Sequence, residues 1–170
     1  MRISLFILAI FLALNIVHAQ STLFFDQQSS TNWDGETVGA VPVSDQPLGQ
    51  SFTPALSSID FVRLRLSIST FSVAGTVSVN LWSGGISNGV LLASSIPAVI
   101  NLSDPGAVVY TNFFFPSSVP LNPGTTYFFQ PLVTSETSGP FGGDLNVGLY
   151  SPRVYPATYA GGMAYVYGTA

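Results

Sequence analysis

The sequence predicts an all-β protein: an antiparallel two-sheet β-sandwich, jelly-roll-like, with eight or nine strands in a single domain over residues 20–170. Three observations lead there. Beyond residue 20 the apolar residues alternate with a period of two or run in short blocks, and no stretch carries the 3.6-residue period of an amphipathic helix. Clusters of Gly, Pro, Asn and Ser punctuate the chain at intervals of roughly 8–15 residues. Charged residues make up only 7 % of the chain, so Ser, Thr, Asn and Gln must solvate the outer faces of the strands; a soluble domain ordinarily carries about one quarter.

A leader precedes the domain. Met1-Arg2 is a short basic start, Ile3–Leu14 an almost unbroken apolar run, and Val17-His18-Ala19 an A-x-A-like cleavage site. Residues 1–19 therefore read as a signal peptide cut before Gln20. The run falls short of the roughly 20 apolar residues a membrane helix needs. The expectation is a secreted, extracellular protein with no membrane span after signal cleavage.

Taken in order, Thr22–Asp26 reads as a first strand, and Gln27–Pro47, polar and rich in turn residues, as a long ordered loop or strap. Leu48–Thr53 is a second strand, stopped by Pro54. Phe61–Ser69 has the clearest alternation: Val62, Leu64, Leu66 and Ile68 face one way, Arg63, Arg65, Ser67 and Ser69 the other. That is an antiparallel strand with one face buried. Thr76–Trp82 repeats the pattern, with Val77, Val79 and Leu81 inward and Thr76, Ser78, Asn80 and Trp82 outward. Two Gly-rich turns follow before Val90–Ala93. Ala107–Phe115 is expected to end at Pro116. In Leu121-Asn122-Pro123-Gly124, proline suits turn position i+1 and glycine i+2. Thr126–Val133 precedes an expected loop at Thr134–Gly143, and Val147–Tyr150 and Met163–Tyr167 are the last short strands. A lipocalin-like meander fits less well, because it would not need long loops at both ends.

The residues missing from the chain remove much chemistry. There is no Cys, no Lys, and the one histidine, His18, lies in the leader. Thiolate nucleophiles, disulfides, Ser-His-Asp relays, histidine-bound metals and lysine Schiff bases are thereby excluded for residues 20–170. Arg63, Arg65 and Arg153 stand against eight carboxylates, so there is no basic patch to neutralise nucleic acid phosphates. Carboxylates, hydroxyls and oxygen-ligated cations remain.

Several stretches in order resemble a known family. Gln50-Ser51-Phe52-Thr53-Pro54, Phe61-Val62-Arg63-Leu64-Arg65-Leu66, Val77-Ser78-Val79-Asn80-Leu81, Val119 to Tyr127 and Tyr159-Ala160-Gly161-Gly162 are similar to secreted bacterial β-sandwich modules of the kind found in PEP-CTERM and choice-of-anchor proteins. The similarity spans roughly residues 23–168. It implies export, a jelly-roll-like domain and no transferable catalytic motif. The chain departs from the family pattern in showing no sorting segment before Ala170.

Four candidate sites emerge. Trp82 shares the polar face of its strand with Asn80, an arrangement that can stack a sugar ring and hydrogen-bond its hydroxyls; the alternative is an indole tucked under a loop to cap the core. Trp33 lies between Asn32 and Asp34, and Asp34 with Glu36 offers carboxylates for Ca2+ or, less readily, a glycosidase pair; the alternative is a solvated turn. Tyr155 and Tyr159 belong to a cluster with Tyr150, Tyr165 and Tyr167, suited to an aromatic binding surface, a self-associating edge, or simply a closing strand. Arg63 and Arg65 share a strand face, where they could pair with Asp60 or another acid; the favoured reading is a solvated ladder. Asn101-Leu102-Ser103 is a glycosylation sequon, relevant only in a eukaryotic host. The functional expectation is a non-catalytic binding or adhesion module for a polysaccharide or other cell-surface component, with no obligatory cofactor. A self-associating structural protein of the envelope or matrix is the alternative, and a carboxylate-based glycosidase the third reading.

Overall fold

The computed structural model describes residues 23–26, 37–40, 46–68, 73–86, 88–104, 106–138, 145–150, 162 and 164–165. Among the described residues there is no helix, and ten strands form two antiparallel sheets. The four-stranded sheet runs β1 (Thr37–Ala40), β9 (Leu145–Tyr150), β3 (Ser58–Ile68) and β7 (Val108–Pro120). The six-stranded sheet runs β10 (Ala164–Tyr165), β2 (Gly49–Phe52), β8 (Tyr127–Ser138), β4 (Val73–Ser83) and β5 (Val90–Ser94), with β6 (Ala98–Leu102) also on β4.

Both sheets contribute to one apolar core. From β3 come Val62, Leu64, Leu66 and Ile68; from β4 come Val77, Val79 and Leu81, the last three fully buried. These are the inward positions read from the period-two alternation. Phe113 on β7 and Leu145 on β9 are likewise fully buried, and Phe52 packs its ring near those of Tyr127 and Phe129 at 6.1 and 6.2 Å. Burying side chains of this size is the dominant stabilising term, each contributing about 1.5–3 kcal/mol.

The ladder differs from the sequence expectation where its pairing is interrupted. Pro116 does not end β7. Ile59 pairs with Val119 and Phe61 with Phe114, so Phe115 to Ser118 bulge out opposite Asp60, and a residue without an N–H costs the ladder nothing there. Thr134 does not begin a loop either. It is the bulged residue between the Thr76–Ser135 and Val77–Val133 pairs, tied down by its own Oγ1 donating to the Thr76 carbonyl at 3.2 Å, and β8 continues to Ser138. Strand β1 lies in the stretch expected to be a loop or strap, and β6 in one to which the sequence assigns no element. Leu23–Asp26, expected as strand, is not one. Asp26 Oδ2 instead accepts the N–H groups of Ala55 and Leu56 at 2.7 and 3.2 Å, and the Phe25 ring meets Phe61 edge-on at 5.3 Å, so side chains rather than a ladder fix this segment.

The expected turn is present. Thr125 N–H donates to the Asn122 carbonyl at 3.1 Å, and Gly124 at i+2 takes φ +79°, which a Cβ would disfavour. Tyr127, its ring in the core, holds the turn by accepting the Asn122 N–H at its hydroxyl, 3.0 Å away. Ser95–Pro97 separates β5 from β6, and there the Ile96 N–H donates across to Phe114 O of β7 at 2.8 Å. This bond links the two sheets along one side.

Candidate functional site

Alternation along β4 delivers Ser78, Asn80 and Trp82 to the face opposite the core. Register then sets their neighbours. Ser94, Asn80 and Gln130 form one row across β5, β4 and β8; Leu91, Trp82, Phe128 and Ser51 form the next across β5, β4, β8 and β2.

Trp82 is half-buried, and its indole Nε1 donates to Oε1 of Gln130 at 3.0 Å. Gln130 is only 5 % exposed, so its amide needs partners on both ends. Its Nε2 donates to Gln46 Oε1 at 2.8 Å, and the same oxygen accepts Leu48 N–H at 3.1 Å. Gln46 Nε2 in turn donates to the Pro131 carbonyl at 2.9 Å. That last bond has a structural reason. Strand β2 reaches only Phe129 of β8, so Pro131 lies beyond the ladder and its carbonyl would otherwise lack a partner on that side. A proline is tolerated in this central strand because its absent N–H points where no strand runs.

Asn80 completes the arrangement. Its Oδ1 accepts the Ser94 hydroxyl at 2.7 Å, while its Nδ2 donors have no protein partner among the described residues. The face thus offers an oriented indole beside an amide whose donors have no partner among the described residues, a combination that can stack a ring and hydrogen-bond a hydroxyl. The parity reading of Asn80 and Trp82 holds. Gln46 and Gln130 were not singled out from sequence: nothing local marks them, since their importance comes from strands 84 residues apart in sequence.

The other sequence candidates divide sharply. Trp33, Asp34 and Glu36 lie outside the described residues, as do Tyr155, Tyr159 and Tyr167; Tyr150 and Tyr165 fall in β9 and β10. No group of three or more His, Cys, Asp or Glu capable of holding a metal occurs among the described residues. Nor is any helix among them long and apolar enough to cross a membrane. Arg63 meets no acid among the described residues. Its Nε donates to Asn112 Oδ1 at 2.6 Å and its guanidinium lies 4.4 Å over the Phe25 ring, because register puts an amide opposite it on β7 and the N-terminal segment supplies a ring.

Compared with known proteins, the chain matches no family model and no curated protein at a significant level.

Proposed function

We propose that this protein is a secreted, non-catalytic binding module, a jelly-roll-like β-sandwich of the choice-of-anchor kind, whose ligand class is polysaccharide. The observation that carries this reading is the Trp82 indole, held through Nε1 by a buried glutamine and set beside the Asn80 amide. A core-capping tryptophan needs burial only. One whose edge is fixed by a network while its strand neighbour keeps free donors is equipped to bind. The network also removes conformational entropy before ligand arrives, which favours affinity.

The test uses glycan-array screening of the intact protein, then affinity electrophoresis in the polysaccharide it retains. Trp82→Ala should abolish retention while circular dichroism reports a folded chain. Trp82→Phe, which keeps a ring and loses the N–H, should retain part of it. A parent that retains no polysaccharide, or retention indifferent to Trp82→Ala, overturns the reading.

A second reading, self-association, is favoured by one observation. Val90, Leu91 and Val99 on β5 and β6 are 66 %, 46 % and 71 % exposed, and neither strand carries the charged residues that usually guard a sheet edge. Sedimentation velocity over a concentration series would reveal it as a rising sedimentation coefficient; a constant monomer would exclude it.

A further inference from the structure

The face of the four-stranded sheet that points away from the core holds a second constellation, distinct from the Trp82 face. Arg63 projects from it, exposed, and is held from two sides: Nε is engaged by Asn112 and the plane of the guanidinium rests on Phe25. Those contacts fix its orientation and leave both terminal nitrogens without a partner among the described residues. No carboxylate among them pairs with it. A guanidinium fork so held matches a carboxylate bidentately and loses little freedom in binding one.

The surroundings narrow the ligand further. Phe25, Tyr110 and Phe114 are 38 %, 45 % and 43 % exposed, and Phe61 links Phe25 to Phe114 through ring contacts at 5.3 and 5.4 Å. Arg65 stands two residues along the strand from Arg63, about 7 Å away. Across the sheet, register aligns Gly39, Gly148, Arg65 and Tyr110 in one row. Strands β9 and β1 therefore place two glycines in the row that runs from Arg65. Exposed rings suit a flat ligand with an apolar face; an oriented fork demands that it carry an anion. Nucleic acid or an anionic membrane would call for many more cations than two arginines on an acidic chain.

We infer that this face binds a carboxylate-bearing sugar of an acidic polysaccharide, with Arg63 gripping the carboxylate. The site is independent of the Trp82 reading and stands if that one fails.

Polygalacturonate is the probe, with its fully methyl-esterified form as a neutral control of the same backbone. In affinity electrophoresis of the intact protein, polygalacturonate should retard migration, the ester should not, and added salt should weaken the effect. Arg63→Gln should lower affinity about tenfold or more. Asn112→Asp keeps the arginine but supplies an internal carboxylate, and should quench binding to a similar degree without loss of fold. Trp82→Ala should leave this binding unchanged, whereas any Trp82-dependent retention of a neutral polysaccharide reports on the other face alone. The inference is overturned by absent retardation, by equal retardation in the ester, or by affinity that survives both Arg63→Gln and Asn112→Asp. Preferential binding to duplex DNA or to phosphatidylserine vesicles would overturn it equally.

Discussion

The two outer faces are built by the same rule and end in different states. Each receives the polar half of an alternating strand, β4 on one side and β3 on the other. On the six-stranded sheet, Trp82, Gln130 and Gln46 are linked by hydrogen bonds to one another, to Leu48 N–H and to the Pro131 carbonyl, while the Asn80 donors have no partner among the described residues. On the four-stranded sheet, Arg63 is oriented by an amide and a ring but not neutralised. A closed network serves rigidity first; an open, oriented charge serves recognition first. The difference lies in the cross-strand partner, Gln130 opposite Asn80 and Asn112 opposite Arg63, not in the strands themselves.

The comparison breaks most completely if the shared core is damaged. Leu64→Ala should destabilise by about 2–5 kcal/mol, since the side chain is 3 % exposed and belongs to the core to which both sheets contribute. Chemical denaturation should show it, and any binding at both faces should weaken together near the unfolding midpoint. A smaller effect tells the faces apart. Gln130→Ala strips the Trp82 indole and Gln46 of a partner in a buried setting and should cost about 1–3 kcal/mol. Its counterpart Asn112→Ala removes one bond to an exposed arginine and should cost no more than about 1 kcal/mol. Its larger consequence should be weaker polygalacturonate binding, because Arg63 is then free to turn. Equal destabilisation by the two variants would mean that both faces are held together in the same way. Ser67→Ala is the smallest change, below about 0.5 kcal/mol. Its hydroxyl lies at 3.5 Å from Arg65 Nη1, too long for a strong bond. A cost near that of Leu64→Ala would mean that the two faces of β3 are reversed.

Steric demands at the backbone offer a check independent of either face. A Cβ on Gly49 would run into the Phe129 carbonyl, at the start of the strand that aligns Gln46 with Gln130. Gly49→Ala should therefore destabilise by about 1–3 kcal/mol and loosen the indole, which tryptophan fluorescence would register as a shift toward the solvent-exposed spectrum.

How far the molecule could be read from its residues depends on how local each feature is. The direction of Val62, Leu64, Leu66 and Ile68, and of Asn80 and Trp82, was legible because successive side chains on a strand must point to opposite faces. The Asn122–Thr125 turn was legible because few residues tolerate its dihedral angles. Pro116 and Thr134 misled because each was judged as a breaker by itself. Whether such a residue breaks a strand depends on the partner strand: Pro116 and Thr134 both fall in bulges, where the ladder has already let go. Strand β6 is short: it buries only Ile100 and Leu102, and its pairing is with β4.

The sequence by itself determined the all-β class, the one-sided burial of β3, the inward set of β4, and the exclusion of thiol and histidine chemistry between residues 20 and 170. All of these follow from composition or from near-neighbour geometry. Only the tertiary structure decided that Gln46 and Gln130 hold the Trp82 edge, that Arg63 meets Asn112 and Phe25 instead of an acid, and that Gly39 and Gly148 fall in one row beside Arg65. Those juxtapositions arise from strand register, and register is fixed by burial of whole faces against each other. No single strand carries that information.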